Sequence, residues 1–500
     1  MVTEINYEEH FMLGEKTKNA FFKGESHDKI ERDYPNFVNT REIGYGLNVT
    51  DEIIAGVLAG VPTLLIGDKG CGKSQAMFDI SDYYFNGAKR DGGESVIINI
   101  DPKTEIMDGA QGIYRRFNLK EGKIEYTSNV GAYLHALEEV TRTSQISQNQ
   151  FYPLLNGYVS DKGGKAFIGR DGYSAVLGTA NYENGKFKGT FGMDEAFLNR
   201  WGIVIDFDYK VFKPTEEDRM LINLLKDPDG KVKPAPKRDI SDLIIKANKE
   251  IKNISSNPGL GALAVANYIE FGLENCLKNV VDGDSGMKDK SWPMDCQDCG
   301  HNKKDDAICS LIKAPVTRTK QFMIKYAAAL HYLAKLKNPN VEIDPVELMF
   351  KSFEMTGAYQ SLLNAQVLQR NYGGQSPLMM RDVVSKLKED FRENEDYIMT
   401  SLKEAREGKL VEDFYKEGET IGIYDVDIEK IEEHNKNLRK LRERNDKLPE
   451  GKKIKRFPKD KSIPTKIQPF TDNRKIRLGW VKTMCGLEKK VFEMKGGEEE

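Results

Sequence analysis

The stretch Gly67-Asp68-Lys69-Gly70-Cys71-Gly72-Lys73-Ser74 is the sequence feature that most constrains how this chain folds. It follows an apolar run that ends at Ile66 and leads into a helical pattern from Gln75 to Tyr84. A strand, a glycine-rich turn, a Lys-Ser pair and a helix are the context that a phosphate-binding P-loop requires. The glycines let successive backbone N–H groups face a phosphate, and the helix N-terminus adds its positive dipole end. The sequence therefore predicts a site for a nucleoside triphosphate.

Individual residues of this P-loop have predictable roles. The Lys73 ammonium would reach the β- and γ-phosphates, and the Ser74 hydroxyl would ligate Mg²⁺. The predicted nucleotide-binding residues are Gly67, Asp68, Lys69, Gly70, Cys71, Gly72, Lys73, Ser74 and Gln75. The expected nucleotide is ATP.

The composition limits the other possibilities. With 500 residues the chain is long enough for about three domains, each with its own core. Charged residues make up 31% of it, yet the net charge is only −3, so no global field selects a charged partner. No apolar run reaches the roughly 18 residues of a membrane span, and the N-terminus lacks a signal-peptide pattern. We therefore expect a soluble cytoplasmic protein without a membrane partner.

Four regions are predicted along the chain. Residues 1–40 are polar and form an N-terminal arm. Short apolar runs alternate with helical stretches over 41–237, which predicts an α/β fold with a parallel sheet. Residues 238–365 look mostly helical and carry a Cys-rich insert at 276–309, and 366–500 form a charged, mainly helical extension. The five predicted strands are Thr63–Gly67, Ser95–Ile100, Tyr133–Glu138, Ser174–Thr179 and Gly202–Phe207.

A P-loop needs a second, acidic strand end that holds the Mg²⁺ shell and orients the attacking water. The best candidate is the end of the Tyr133–Glu138 segment, where Glu138 would take the metal-side role and Glu139 the water-activating role. The alternative interpretation of this segment is an ordinary amphipathic helix, because Glu-Glu pairs are common in helices. A polar residue, Asn181, follows the next predicted strand, and this context favours a strand for 133–138 as well.

The order of these motifs resembles that of the AAA+ ATPases, and within them the branch with MoxR-type and dynein/midasin-related modules. In that branch the Walker B strand runs into Asp-Glu-Ile-Asn-Arg-Ala, and residues 138–143, Glu-Glu-Val-Thr-Arg-Thr, occupy that place here. Asn181 matches the sensor-1 asparagine, and Arg200 in Phe-Leu-Asn-Arg-Trp matches an inter-subunit arginine finger. Arg318 in Ala-Pro-Val-Thr-Arg-Thr is similar to the sensor-2 arginine. The resemblance covers about 48–356.

This resemblance implies a function as well as a fold. It implies that 41–237 is an AAA+ nucleotide-binding domain and 238–365 its α-helical lid. It also implies a homo-oligomer, normally a hexameric ring, that uses ATP and Mg²⁺ to remodel a protein substrate or adaptor. Glu139, Asn181, Arg200 and Arg318 would be the catalytic residues. Glu138 stands where the family has Asp, and its longer side chain predicts slower hydrolysis.

Two hairpins are predicted beside the catalytic strands. Ile113–Tyr126 alternates about a turn, and its position before the Walker B strand matches the helix-2 insert of the branch. A second hairpin is predicted around Ser160–Lys165. Basic residues at both tips could hold a polyanion or an acidic polypeptide, or they could simply be solvated turn residues.

Four cysteines lie in or beside the insert. Cys296 and Cys299 have the two-residue spacer of a metal knuckle, His301 follows, and Cys276 and Cys309 flank them. Four thiolates suit a structural Zn²⁺, and an iron–sulfur cluster uses the same ligand type. The alternative is a set of free cysteines in a loop.

Two further functional hypotheses stay open at this stage. The fold also hosts nucleic-acid motors, and basic hairpins with a Lys/Arg-rich stretch at 430–466 would suit one. The departure at Glu138 favours a third possibility, a nucleotide-gated structural switch with slow turnover.

Overall fold

The structure, a computed structural model, describes residues 37, 39–88, 93–100, 113–118, 120–161, 164–181, 193, 195–225, 232, 234–235, 237–273 and 308–393, with short pieces between 395 and 447. Their contacts define two units. The first comprises Met1–Ala266 with Pro315–Lys386, and the second comprises Asn267–Ala314 with Leu387–Glu500. The division into four regions predicted from the sequence stays a prediction.

Five parallel strands form the central sheet of the first unit, in the spatial order β11-β3-β10-β7-β4. These strands are nearly continuous apolar runs, as expected where helices cover both faces of a parallel sheet. Each of the five predicted strands is present, with ends within one residue of the prediction. Their bounds are β3 Thr63–Ile66, β4 Ser95–Asn99, β7 Leu134–Glu138, β10 Ala175–Ala180 and β11 Ile203–Asp206.

The remaining described strands pair in three small antiparallel ribbons. They are β1 Glu42–Gly44, β2 Leu47–Asn48, β5 Arg115–Asn118, β6 Lys123–Tyr126, β8 Tyr158–Asp161 and β9 Gly164–Phe167. The described α-helices are α1 Val49–Ala59, α2 Lys73–Asp79, α3 Gln145–Gln148, α4 Tyr152–Leu155, α5 Glu195–Leu198, α6 Glu216–Leu225, α7 Ser241–Ser256, α8 Leu260–Asn267, α9 Ile308–Leu311, α10 Thr317–Lys337, α11 Pro345–Gly357, α12 Ala365–Tyr372 and α13 Ser376–Glu393. This architecture confirms the predicted α/β fold, a parallel sheet with flanking helices and an added helical region.

Helix α1 is buried on all sides because helices pack on it as well as the sheet. It begins with a capping box, in which the side chains of Asn48 and Asp51 each accept a hydrogen bond from the other's backbone N–H. It ends at Gly60, whose φ of 62° lies in the left-handed region that favours glycine. Helices α10 and α7 contact α1, so the helical part of the first unit rests on the α/β part.

Two buried acidic residues of α1 face lysines of α10 and α11. Lys337 of α10 lies 2.9 Å from an Asp51 carboxylate oxygen, and Lys351 of α11 lies 3.6 Å from Glu52. Burial is the largest influence on both carboxyl groups and raises the pKa of each, to about 7 for Glu52. These pairs join α1 to α10 and α11 at the cost of taking two carboxylates out of water.

The second unit contains a small helical core. Its described buried side chains include Tyr268, Ile269, Leu311, Leu387 and Phe391. The Tyr268 ring meets the Phe391 ring edge-on with centroids 5.4 Å apart, and its hydroxyl donates to the Asp390 carboxylate. Buried aromatic contacts of this kind fix how helices within a unit pack.

Candidate nucleotide site

The P-loop lies between β3 and α2, as the sequence predicts. Gly67, Gly70 and Gly72 have φ values of 141°, 78° and 96°, a region that side-chain-bearing residues rarely adopt. A Cβ at Gly67 would also lie only 3.2 Å from the Cβ of Phe207. The glycines are therefore required by backbone conformation, and at Gly67 by close packing as well. Helix α2 then begins at Lys73, directly after Gly72.

Lys73 is the buried cation of this loop, with 7% of its surface exposed. Its ammonium donates to the carbonyl oxygens of Gly67 at 2.8 Å and Asp68 at 2.7 Å. The thiol of Cys71 lies 3.4 Å from the same nitrogen, and burial raises the pKa of that thiol. Lys73 thus points into the loop that the glycines form, which is the place from which it would reach a phosphate.

The acidic pair lies at the same edge of the sheet. Strand β7 ends at Glu138, and its neighbour β10 ends at Ala180, which is in register with Ile66 of β3. In a parallel sheet these carboxyl ends lie side by side, so the residues that follow them converge with the P-loop. Glu138, Glu139 and Asn181 are therefore placed on the P-loop side of the sheet. The helix interpretation of this segment is wrong, because Leu134–Glu138 is a strand with partners on both sides.

Glu139 adopts an unusual backbone conformation. Its φ of 57° is left-handed, and its carboxylate forms an ion pair with the guanidinium of Arg142 in the following turn. Its backbone N–H donates to the hydroxyl of Thr179 on β10 at 3.0 Å. Non-glycine residues in this region carry strain and are frequent at functional sites.

Asn181 directly follows β10 and has 8% of its surface exposed. Its carbonyl oxygen lies 3.5 Å from the hydroxyl of Thr141, in the turn after Glu139. The two segments predicted to handle the attacking water are therefore in contact.

The two predicted arginines lie outside this cluster. The Arg200 guanidinium stacks on the Tyr152 ring of α4 at 3.9 Å from its centroid and donates to the carbonyl oxygen of Ala196. Arg318 is exposed in the first turn of α10. Their roles as inter-subunit finger and sensor 2 stay predictions.

An aspartate that the sequence motifs do not indicate lies beside the P-loop. Asp206 ends β11 in register with Ile66, and its carboxylate accepts a hydrogen bond of 2.7 Å from the Tyr359 hydroxyl. Burial raises the pKa of Asp206. A signal was available, because Asp206 is an acidic residue at the end of a predicted apolar strand. Tyr359, which follows α11, could not be linked to it by spacing.

The end of the predicted N-terminal arm is also part of this site. The Phe37 ring is buried against the Phe207 ring, with centroids 5.9 Å apart, and a Cβ at Gly72 would lie 3.1 Å from it. The Phe37 backbone N–H donates to the carboxylate of Asp79 at the end of α2. The polar composition of 1–40 gave no sign of this packing.

Both predicted hairpins are present. The β5–β6 hairpin exposes Phe117 and Tyr126, and the β8–β9 hairpin exposes 77% of Phe167. On β9 the Lys165 ammonium lies over the Tyr158 ring at 4.7 Å. Aromatic and basic side chains are thus present together on the second hairpin.

The predicted cysteine site falls outside the described residues. Cys276, Cys296, Cys299 and His301 are not described, and of Cys309 only the backbone is described, in α9. Among the described residues, no group of three or more His, Cys, Asp or Glu side chains is arranged to hold a metal ion. Within the same residues, no helix is long and apolar enough to cross a membrane.

Comparisons with known proteins find similarity at the level of structure. No family model matches the sequence, and no curated protein matches it. A "putative ATPase" from Cytophaga hutchinsonii has a similar structure, with a TM-score of 0.46 and 14% identity over 75% of this chain and 96% of that one. A full-length MCM homolog from Methanopyrus kandleri has a TM-score of 0.36 and 12% identity. That match covers 70% of this chain and 61% of the homolog.

Proposed function

We propose that this protein is a Mg²⁺-dependent ATPase. The observation that carries the proposal is the position at one sheet edge of Lys73 and Ser74 after β3, Glu138 and Glu139 at the end of β7, and Asn181 after β10. A buried ammonium in a glycine loop, a hydroxyl and two carboxylates are the donor set that nucleotide phosphates with Mg²⁺ require.

Each residue then has a chemical task. The loop N–H groups and Lys73 would bind phosphate oxygens, and Ser74 with Glu138 would hold the metal shell. Mg²⁺, when bound, would neutralise the charge that develops on the phosphates. Glu139 would accept a proton from the attacking water, which Asn181 would orient by a hydrogen bond. Glu138 is half-buried and is the last residue of β7. The sheet therefore fixes the backbone from which its carboxylate extends.

We further propose that the ATPase works as a ring-forming homo-oligomer that remodels a protein partner. The order of Walker A, Walker B, sensor and arginine motifs supports this, because it resembles the MoxR branch of the AAA+ proteins. Arg200 supports it independently, since it precedes the start of β11, whereas its own P-loop follows the end of β3 at the other edge of the sheet. An arginine in this position can complete a neighbour's site.

The deciding experiment compares two variants for both nucleotide binding and hydrolysis. Lys73→Ala should lose ATP binding, because it removes the cation that the loop surrounds. Glu139→Gln should keep ATP bound and lose turnover, because the amide cannot accept the proton. Lys249→Ala, at an exposed position of α7, and Glu121→Gln, at a hairpin turn, are the matched controls. Parental hydrolysis by Glu139→Gln would exclude its role as the base.

A nucleic-acid motor is the second candidate, and the β8–β9 hairpin favours it. Phe167 is largely exposed next to the Lys165–Tyr158 pair, and aromatic rings beside cations stack on single-stranded bases. A gel shift with single-stranded DNA at rising salt separates the candidates. A steep salt slope that Phe167→Ala and Lys165→Ala weaken would favour the motor. Absence of binding at low salt would leave the protein-remodelling ATPase.

A nucleotide-gated switch with slow turnover differs from the remodelling ATPase and from the nucleic-acid motor only in its rate of ATP hydrolysis. The extra methylene of Glu138, relative to the Asp that the resemblance implies, is the observation behind it. Glu138→Asp should raise kcat if the longer side chain limits hydrolysis. An unchanged kcat would remove the reason for this candidate.

A further inference from the structure

The backbone of Glu139 is held in a conformation that it would not keep by itself. Its φ of 57° is left-handed, and a residue with a Cβ enters that region only when its surroundings compensate. The conformation also decides where the carboxylate points, because the Cα–Cβ bond turns with the backbone. The groups that fix this backbone therefore fix the direction of the proposed base.

Three contacts satisfy the polar groups of Glu139. The carboxylate pairs with Arg142, and the carbonyl oxygen accepts from the Arg142 N–H at 2.9 Å. Both contacts lie within the same turn, so they move with it. The third is the backbone N–H, which donates to the Thr179 hydroxyl at 3.0 Å and so anchors the turn to a different strand.

Thr179 is well placed to act as this anchor. It is buried, with 1% of its surface exposed, and it lies on β10 between β7 and β3. Its register partner on β3 is Leu65, next to the start of the P-loop, and Asn181 follows two residues later on its own chain segment. One hydroxyl thus links the turn of the proposed base to the strand of the proposed water-orienting residue.

We infer that Thr179 is a positioning residue for hydrolysis, which it serves by holding Glu139 in its left-handed conformation through the backbone N–H. The inference rests on the proposed function, because it assigns no chemistry to Thr179 itself. Without the hydroxyl, the half-buried N–H of Glu139 loses its acceptor, and the turn would relax toward a conformation that points the carboxylate elsewhere.

Three substitutions at this position separate the hydroxyl from the shape of the side chain. Thr179→Val keeps the shape and removes the oxygen, Thr179→Ser keeps the oxygen and removes a methyl group, and Thr179→Ala removes both. Thr63→Val is the matched control, because Thr63 is equally buried on β3 and its hydroxyl donates only to the Val61 carbonyl, at 2.9 Å. Steady-state kcat and KM are measured beside the Kd of a fluorescent ATP analogue.

Loss of one hydrogen bond that orients the base should lower kcat of Thr179→Val about tenfold. The Kd for nucleotide should stay within about twofold of the parent, because the bond lies outside the P-loop. Thr179→Ser should keep most of the parental kcat, and Thr63→Val should keep it as well. In a Glu139→Gln background, Thr179→Val should cause no further loss, since the two act through one group.

The inference and the proposed function fail in different ways. Parental kcat in Thr179→Val, or equal rates in Thr179→Ser and Thr179→Ala, would overturn the inference while Glu139→Gln still identifies the base. The Ser and Ala variants carry this comparison if Thr179→Val does not fold. A further loss from Thr179→Val on top of Glu139→Gln would also overturn it, because Thr179 would then act on another group. Parental hydrolysis by Glu139→Gln alone would instead reject the proposed base.

Discussion

The Tyr114 hydroxyl lies 2.7 Å from Nδ1 of His135, and both side chains are fully buried. His135 lies on β7, three residues before the proposed metal-side carboxylate of Glu138, and Tyr114 directly precedes β5. Nε2 of the same ring lies 2.9 Å from the Ala132 carbonyl oxygen. The carbonyl can only accept, so Nε2 carries the proton and Nδ1 accepts from Tyr114. The base of the exposed β5–β6 hairpin is thereby fastened to the strand that carries the acidic pair.

Tyr114→Phe should destabilise the protein by about 1–3 kcal/mol, because it leaves a buried imidazole nitrogen without its donor. The change removes one oxygen and almost no volume, so little packing is lost. Chemical denaturation measures the effect. Tyr158→Phe, in the half-exposed part of the other hairpin, is the control and should cost less than about 0.5 kcal/mol. Equal losses of unfolding free energy in the two variants would show that the hydrogen bond to His135 stabilises the fold no more than a half-exposed tyrosine hydroxyl does.

The pH dependence of stability should carry a signature of His135. Burial lowers its pKa to about 4, against an ordinary value near 6.5 in the unfolded chain. Between these values the unfolded state binds the proton and the folded state does not. The contribution of neutral His135 to the free energy of unfolding is therefore fully present above about pH 6.5, and it is lost as the pH falls toward 4. The difference in unfolding free energy between the parent and His135→Asn should shrink by about 3 kcal/mol or less across that window. A difference in unfolding free energy that does not change with pH would contradict the lowered pKa of His135.

Glu52 should show the opposite sign. Burial is the main reason that its pKa rises to about 7, with Glu354 adding to the rise and Lys351 opposing it. A carboxyl group with a raised pKa favours folding at low pH and costs stability as the pH rises from about 4.5 to 7. Glu52→Gln should therefore gain stability relative to the parent as the pH rises, by about 3 kcal/mol at most. Glu342→Gln, at an exposed position before α11, should show no such trend. If the unfolding free energy of Glu52→Gln relative to the parent does not change with pH, Lys351 compensates the charge of Glu52 fully.

Much of the sheet could be predicted because its strands are short apolar runs between turns. Leu64, Leu65 and Ile66 are buried on both faces, and such runs are recognisable without alternation. The P-loop was recognisable for a different reason, since its glycine positions are set by backbone conformation. The segment between α3 and α4 is not a continuous helix, because a 3₁₀ turn at Asn149–Phe151 interrupts it. Pro153 explains the break, because it cannot donate within a continuous helix.

Contacts that depend on strand register or on distant segments could not be predicted. The bond from Glu139 to Thr179 exists because β7 and β10 pair with a particular offset, which composition does not reveal. Asp206 and Tyr359 are separated by more than a hundred residues and meet only after α11 has packed. Phe37 lies in a polar segment and gave no periodic signal. Contacts of this kind leave no motif or periodic pattern in the sequence.

The insert at 276–309 should hold one tightly bound metal ion per chain through Cys276, Cys296, Cys299 and Cys309. The Cys-x-x-Cys spacing in a segment too polar to fold by burial supports this prediction. Elemental analysis of protein purified without chelators should find close to one equivalent of zinc, or iron if a cluster is present. Cys296→Ser with Cys299→Ser should lose the metal before it affects nucleotide binding. Less than about a tenth of an equivalent would leave these cysteines as free thiols.

Arg200 should act on the nucleotide of a neighbouring subunit. Its half-buried guanidinium stacks on the Tyr152 ring, a contact that a phosphate of the neighbour's nucleotide could replace. Arg200→Ala subunits keep a P-loop but lack the finger, and Lys73→Ala subunits keep the finger but bind no nucleotide. Each should be inactive alone. In randomly mixed rings about a quarter of the interfaces join an intact P-loop to an intact Arg200. The mixture should therefore recover about a quarter of the parental ATPase activity. Separately purified variants that stay inactive after mixing under conditions that exchange subunits would contradict action in trans, as would full activity of a dilute monomer.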